Sequence, residues 1–289
     1  MVELDYLVIG HITQDVQAGS CTIGGTATYA ARTAQALGCR VGVVTSADPN
    51  LDLSEPLSDS LVVRYLSSTT TTFENTYSGE RRQQMVHGVA ETLEPSMVPR
   101  EWRAAIVHIG PVAQECDPTL VGAFRGAMVG VTPQGWMRQW HDDGRVSRCG
   151  WEGAEAVLAQ SDAVVLSEED IEGDRTLVAE YAGKTPLLVL TQGAAGCTVY
   201  GEGTVRRFPA PEVDEVDSTG AGDIFAASFF HALLRTRDPW AAARFANCLA
   251  AQSVTRAGLS ATPDTKAVAR CRRAAWGDEV GHAHHLRAG

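Results

Sequence analysis

Two carboxylates flank a run of nearly side-chain-free backbone in "EVDSTGAGDIFAASFFHALL", residues 215–234: Asp217 before the turn and Asp223 at its end. A helix start leaves several backbone N–H groups unpaired and carries the positive end of the helix dipole. Small residues there let an anion come close to the backbone. The N–H groups of Gly220, Ala221 and Gly222 therefore make a candidate anion cradle, with Asp223 projecting from the first turn beside it. A carboxylate in that position repels a phosphate rather than ligating it. It suits a base that takes a proton from a hydroxyl attacking phosphorus. The following "IFAASFFHALL" is apolar almost all round, which reads as a buried helix supporting that base. A plain loop-to-helix turn accounts for one Asp and one or two glycines, but not for two Asp, a Thr and three small residues together. No Lys-Ser/Thr follows the glycines, and the run does not follow the first strand, so neither nucleotide-loop fingerprint fits.

Such a turn needs rigid elements behind it, and the chain supplies an alternation. "LDYLVIG" reads as a buried strand, followed by a small-residue helix in "GGTATYAARTAQALG" and a second strand in "CRVGVVTS". "AAIVHIG", "AMVGVT", "DAVVLS" and "PLLVLT" are further short apolar runs bounded by turn residues. Repeated strand–helix units imply an α/β fold with a mainly parallel sheet covered on both faces. Ligands in such folds sit at the carboxyl ends of the strands. "SSTTTTFENTYSGERRQQMVHGVAETL" breaks the rhythm and reads as a hairpin turning at "YSGE", either a surface feature or a flap over the active face. One domain spanning 1–289 with a lid hairpin at about 66–90 is the expected organisation.

The chain has 289 residues, 44% of them hydrophobic, and a formal net charge of −11, which argues against broad nucleic-acid binding. No apolar run is long enough to span a bilayer, and the acidic start "MVELDYLVIG" does not read as a signal peptide. Seven scattered cysteines without a CxxC read as free thiols, pointing to a cytoplasmic protein. His282, His284 and His285 lack a Cys, Asp or Glu partner at ligand spacing and read as a solvated tail.

The stretch around Asp223 resembles the C-terminal signature of the ribokinase family, the PfkB-type carbohydrate and nucleoside kinases. "GGTATYAARTAQALG" resembles that family's N-terminal double-glycine motif, "LTQGAAGCTVY" its nucleotide-side strand and turn, and "FANCLAAQSVTRAGL" its C-terminal helix and cation loop. The resemblance implies a three-layer ribokinase-like sandwich with a small β lid. It also implies an ATP-dependent kinase that uses Mg²⁺ and a monovalent cation such as K⁺. By position, Asp223 resembles the catalytic base, and Gly220, Ala221 and Gly222 the anion hole. Thr191, Gly193 and Asn247 resemble nucleotide contacts, while Asp217 resembles a monovalent-cation ligand with carbonyls near Arg256 and Gly258. Asp15, at the end of the first strand, is similar to the carboxylate that holds two vicinal substrate hydroxyls. Gly24 and Gly25 let the substrate approach the next helix.

Three departures bear on the substrate. Tyr29 stands where the family often has a sugar-contacting Asn. Only eight residues separate Asp15 from Gly24, which suggests a lid reduced to the hairpin around Phe73 to Val89. The family's Asn-x-x-Glu motif, which organises Mg²⁺-bound phosphate through water, appears as "SEED", with Ser167 and Asp170 at its ends and Glu168 or Glu169 as substitutes. "PQGWMR" resembles a branch that includes inositol and nucleoside kinases, with Arg138 set to hold phosphate or substrate oxygens. The expected acceptor is thus a sugar or cyclic polyol, inositol-like in preference, with a nucleoside as the alternative, in a monomer or homodimer. A ligand-binding or regulatory protein without turnover is the competing class, motivated by Ser167 and Asp170, although a pure binder needs no Asp223.

Overall fold

The structure is a computed structural model that describes residues 1–17, 19–78 and 81–276. The histidine tail and the centre of the "YSGE" turn lie outside the described residues. The chain forms β1 (Val2–Ile9), β2 (Thr13–Gln17), β3 (Ser20–Gly24), α1 (Thr26–Ala36), β4 (Val41–Ala47), β5 (Ser60–Leu66), β6 (Thr71–Ser78) and β7 (Arg81–Gly88). It continues with β8 (Trp102–Ile109), β9 (Met128–Val131), β10 (Arg138–Trp140), β11 (Val146–Arg148), α2 (Ala154–Gln160), β12 (Ala163–Ser167) and α3 (Arg175–Ala182). It ends in β13 (Leu187–Thr191), β14 (Cys197–Gly201), β15 (Thr204–Phe208), α4 (Ala221–Thr236), α5 (Pro239–Ser253) and α6 (Thr265–Trp276).

The main sheet runs β15-β14-β13-β12-β9-β8-β1-β4-β5. Its strands from β13 to β5 pair in parallel, whereas β14 and β15 add on antiparallel. Alternation along each strand feeds two cores. Tyr6 and Val8 of β1 point to the layer of α1, α4, α5 and α6, where Phe229, Phe230 and Phe245 are fully buried. Leu7 and Ile9 point to the other layer, with Trp136, Trp151 and residues of α2 and α3. The apolar helix expected after Asp223 is α4, buried along its length from Ile224 to Ala232.

The lid differs from the expected single hairpin. Asp15 itself lies in β2, and Ser20–Gly24 pair antiparallel with that strand as β3. The lid is therefore a four-stranded sheet, β3-β2-β6-β7. Its inner side is held by Phe73 and Val86 packed against Val112 and Ala113. His11 pins both ends of the lid to β1: Nδ1 lies 2.7 Å from the Thr71 hydroxyl, and Nε2 lies 2.9 Å from the Glu91 carbonyl. The cysteines differ too. Cys248 of α5 and Cys271 of α6 form a disulfide across the helix pair, while Cys21, Cys39, Cys116, Cys149 and Cys197 are free. No described helix is long and apolar enough to cross a membrane.

Candidate active site

The carboxyl ends of β9, β12 and β13, the lid and the start of α4 enclose one cavity of about 850 Å³. Asp15, Gly25, Tyr29, Arg138, Asp170, Thr191, Gly193, Gly220, Ala221, Gly222, Asp223 and Asn247 all line it. Residues more than 200 positions apart thus meet where doubly wound sheets hold ligands.

At its centre, Gly220 caps α4 with φ 77°, in the left-handed region that glycine adopts without strain. A Cβ there would come within 2.5 Å of the Tyr29 ring, so the tyrosine packs directly on the turn. Gly222, by contrast, has open space where a Cβ would stand. The cradle is narrower than the sequence suggests, because the Ala221 N–H already donates to the Ser218 carbonyl at 3.1 Å. Among the described residues, the N–H groups of Gly220, Gly222 and Asp223 have no backbone acceptor, as a helix start requires.

Asp223 sits in the first turn, in reach of the Thr26 hydroxyl, which donates to it. Burial pushes its carboxyl up to about 6; Thr26 and the Arg138 guanidinium pull it down, and Asp170 and Asp15 push it further up. The side chain keeps partial contact with the cavity. It is a carboxylate poised to exchange a proton near neutral pH, rather than one that stays ionised down to the ordinary range near 4.

Asp15 faces the cavity from the lid strand β2 and accepts from the Thr13 hydroxyl at 3.2 Å. Gly24 does not line the cavity; a Cβ there would lie 2.1 Å from Asp15 Oδ2, so its role is to leave that carboxylate room. Arg138 opens the β10–β11 hairpin, donates to the Val112 carbonyl at 3.3 Å and lies over the Phe73 ring at 5.7 Å. The loop it grips is organised by buried Glu115, which accepts the N–H groups of His11, Val112 and Ala113.

Three further expected residues make contacts of their own. Asn247, mostly buried at the cavity wall, donates its amide to the Phe208 carbonyl at 3.0 Å and so also braces α5 on β15. Glu168 is paired with Arg175 and does not line the cavity. Asp217 accepts the N–H groups of Thr219 (2.9 Å) and Gly258 (3.0 Å). Burial works against its charge, yet these bonds outweigh it and hold the carboxyl below its usual range. Asp170 does line the cavity, held by the Ser167 N–H at 2.8 Å and the Gln134 amide at 3.1 Å. Exposed Glu169 lines it as well. Thr13, Thr26, Phe73, Gln84, Thr132 and Gln134 also line the cavity, although none is singled out as a site residue by the sequence; Thr26 and Gln134 lie inside quoted motifs and Phe73 in the expected lid.

A cavity with a desolvated carboxylate beside unpaired helix-start N–H groups fits phosphoryl transfer, and comparison with known proteins agrees. The profile of the pfkB family carbohydrate kinases matches residues 141–266. That match spans 126 of the 289 residues, and over them the chain is similar to this family. It is a sugar or nucleoside kinase of the ribokinase type. The chain is 29% identical over 259 residues to the cytidine kinase of Thermococcus kodakarensis, covering 81% of this chain and 90% of that protein. It is 31% identical over 157 residues to a fructokinase of Klebsiella pneumoniae, spanning half of each protein. Among solved structures, a pyrophosphate-dependent myo-inositol-1 kinase converted into a myo-inositol-3 kinase superimposes with a TM-score of 0.76 at 21% identity. That match covers 95% of this chain and 99% of the other. Arabidopsis thaliana ribokinase complexed with ribose and ATP gives 0.72 at 17% identity, over 93% and 99%. Both share the fold.

Proposed function

We propose that this kinase transfers the γ-phosphoryl group of ATP to a hydroxyl of a small cyclic polyol, with an inositol-like ring as the preferred acceptor. The observation that carries the reading is Asp223, half-buried next to the unpaired N–H groups of Gly220 and Gly222 in the cavity that Asp15 also lines. Asp223 takes the proton of the attacking hydroxyl. The N–H groups of Gly220 and Gly222 hold charge on the phosphoryl oxygens as it builds. Asp15 accepts from two neighbouring hydroxyls and fixes the ring.

ATP is preferred to pyrophosphate as donor because of what walls the far end of the cavity. Gly193, Ala194, Gly196, Ala210, Pro211, Ala250 and Val254 offer small and apolar surface against which a purine can pack, with Glu212 and Glu215 also in the wall. Pyrophosphate would need cationic side chains, and Arg138, on the acceptor side, is the one Lys or Arg among the described lining residues. Mg²⁺, when bound, neutralises phosphate oxygens; Asp170 and Glu169 offer the hard oxygen donors that suit it.

The acceptor end is polar, with Thr13, Asp15, Thr132, Gln134 and Arg138. That favours a ligand with hydroxyls around its rim over a nucleobase. A nucleoside is the second reading, supported by the Phe73 ring and by the likeness to a cytidine kinase. ADP release with Mg²⁺-ATP and a panel of myo-inositol, D-fructose, D-ribose and cytidine tests both. Fastest turnover of myo-inositol supports the first reading; turnover of cytidine alone replaces it with the second. No ADP from any of them, with tight binding of one, points to the non-catalytic class.

A further inference from the structure

Below the acceptor end runs a buried polar chain that the proposed chemistry does not use. The Tyr6 hydroxyl of β1 lies 3.1 Å from Nδ1 of His108 in β8. Nε2 of that ring lies 3.0 Å from the Thr132 hydroxyl, just past β9. Tyr6 and His108 have no exposed surface, whereas Thr132 lines the cavity. The edges of Tyr6 and Phe230 close around the imidazole, leaving no room for solvent.

The protons in this chain can run in two directions. In one, Tyr6 donates to Nδ1, Nε2–H donates to Thr132, and the Thr132 proton is free to point into the cavity. In the other, Thr132 donates to Nε2, Nδ1–H donates to Tyr6, and the tyrosine proton has nowhere to go. Among the described residues, His108 is the partner of the Tyr6 hydroxyl, so the second direction buries an unpaired O–H donor. Buried donors left without acceptors are rare because the lost hydration is not replaced. Burial also drives the imidazole down to about 3, so a doubly protonated ring is not a third option.

We infer that Thr132 is an acceptor-binding residue whose O–H is aimed into the cavity by a one-way hydrogen-bond chain from Tyr6 through His108. This rests on the kinase reading above and adds a specificity element to it. Asp15 and Asp223, as carboxylates, only accept from the substrate. Thr132 adds a neutral donor to the same cavity, so the site asks for an oxygen that offers a lone pair there while other hydroxyls of the ligand donate. Tyr6 and His108 are positioning residues acting through Thr132.

Two measurements test this. The ¹⁵N spectrum of the imidazoles, with His108 assigned by its loss in His108→Gln, is expected to show a protonated Nε2 and a bare Nδ1. A protonated Nδ1 overturns the direction of the chain, whatever the substrate. In kinetics on whichever of myo-inositol, D-fructose, D-ribose or cytidine the wild type turns over, Thr132→Val should raise acceptor KM about 3–10-fold, the size of one neutral hydrogen bond. ATP KM should stay unchanged, and Thr132→Ser should restore acceptor KM. Unchanged acceptor KM in Thr132→Val removes the residue from the acceptor site. No turnover of any of the four by wild type overturns the kinase reading instead, while the ring spectrum still decides the direction of the chain.

Discussion

Replacing Asp223 by Asn should make the protein more stable as it makes it less active. The native carboxyl titrates near 6 instead of 3.8, chiefly because it is buried at the start of α4. Between those two pH values the folded state binds more protons at this site than the unfolded state does. Unfolding free energy therefore falls as pH rises from about 3.8 to about 6, and the deficit persists above that window. The rise from 3.8 to about 6, at 1.36 kcal/mol per unit, corresponds to about 3 kcal/mol. Partial contact with water in the cavity reduces this, to about 1–3 kcal/mol. Asn keeps an oxygen for the Thr26 hydroxyl and carries no charge, so Asp223→Asn should recover that amount at pH 8. For a chain of this size that is a rise in Tm of roughly 2–6 °C. Turnover should drop about 10²–10⁴-fold, as general-base removal does. Thermal melts of both proteins from pH 4 to pH 8 are the assay. The gain should be full above pH 6 and vanish near pH 4. A variant equally stable at all pH values, or a gain that does not depend on pH, would refute the claim that Asp223 is held charged against its surroundings.

Other substitutions separate the parts of the site. Asp15→Ala should raise acceptor KM by about 10–150-fold, the range for a hydrogen bond to a charged group, with little change in ATP KM; equal effects on both would misplace the acceptor end. Gly220→Ala meets both a left-handed φ and the Tyr29 ring, and should cost about 2–5 kcal/mol in urea unfolding. Gly222→Ala meets open space, so it should weaken ATP binding while leaving stability within about 1 kcal/mol; similar unfolding curves for the two variants would contradict this picture of the cradle. K⁺ should raise activity over an equal ionic strength of tetramethylammonium, and Asp217→Ala should blunt the response. Equal rates in the two salts would leave Asp217 only its bonds to Thr219 and Gly258.

Much of this was legible because short-range pattern and long-range role coincide. Apolar runs such as "DAVVLS" and "PLLVLT" became β12 and β13, since runs bounded by turns in an alternating chain have few other ways to bury both faces. Asp223, Asp15 and Arg138 reached one cavity because the carboxyl ends of parallel strands all lie on one side. Other features depended on contacts that no local pattern encodes. The lid strands β2 and β3 are too short and polar to stand out from a loop, and only pairing with β6 makes them a sheet. Cys248 and Cys271 lie 23 residues apart and meet because α5 and α6 pack together. In "SEED" the turn geometry decides which carboxylate points inward: Arg175 draws Glu168 away, while the Ser167 N–H and Gln134 hold Asp170 at the cavity. Asn247 reaches the cavity wall as its motif implies, but its bond to the Phe208 carbonyl comes from packing on β15 that no local pattern encodes. His108 left one signal, a lone polar residue inside the apolar run "AAIVHIG"; its partners Tyr6 and Thr132 come from other strands.

The account turns on whether the cavity moves a phosphoryl group from ATP to a hydroxyl with Asp223 as base. ³¹P NMR of wild type and Asp223→Asn, each incubated with Mg²⁺-ATP and the acceptor panel at pH 8, reads this directly. A new phosphomonoester resonance growing with ADP in the wild type, and slower by at least about 10²-fold in the variant, is the expected result. An ester formed equally fast by both proteins, or ADP and free phosphate without any ester, would contradict it.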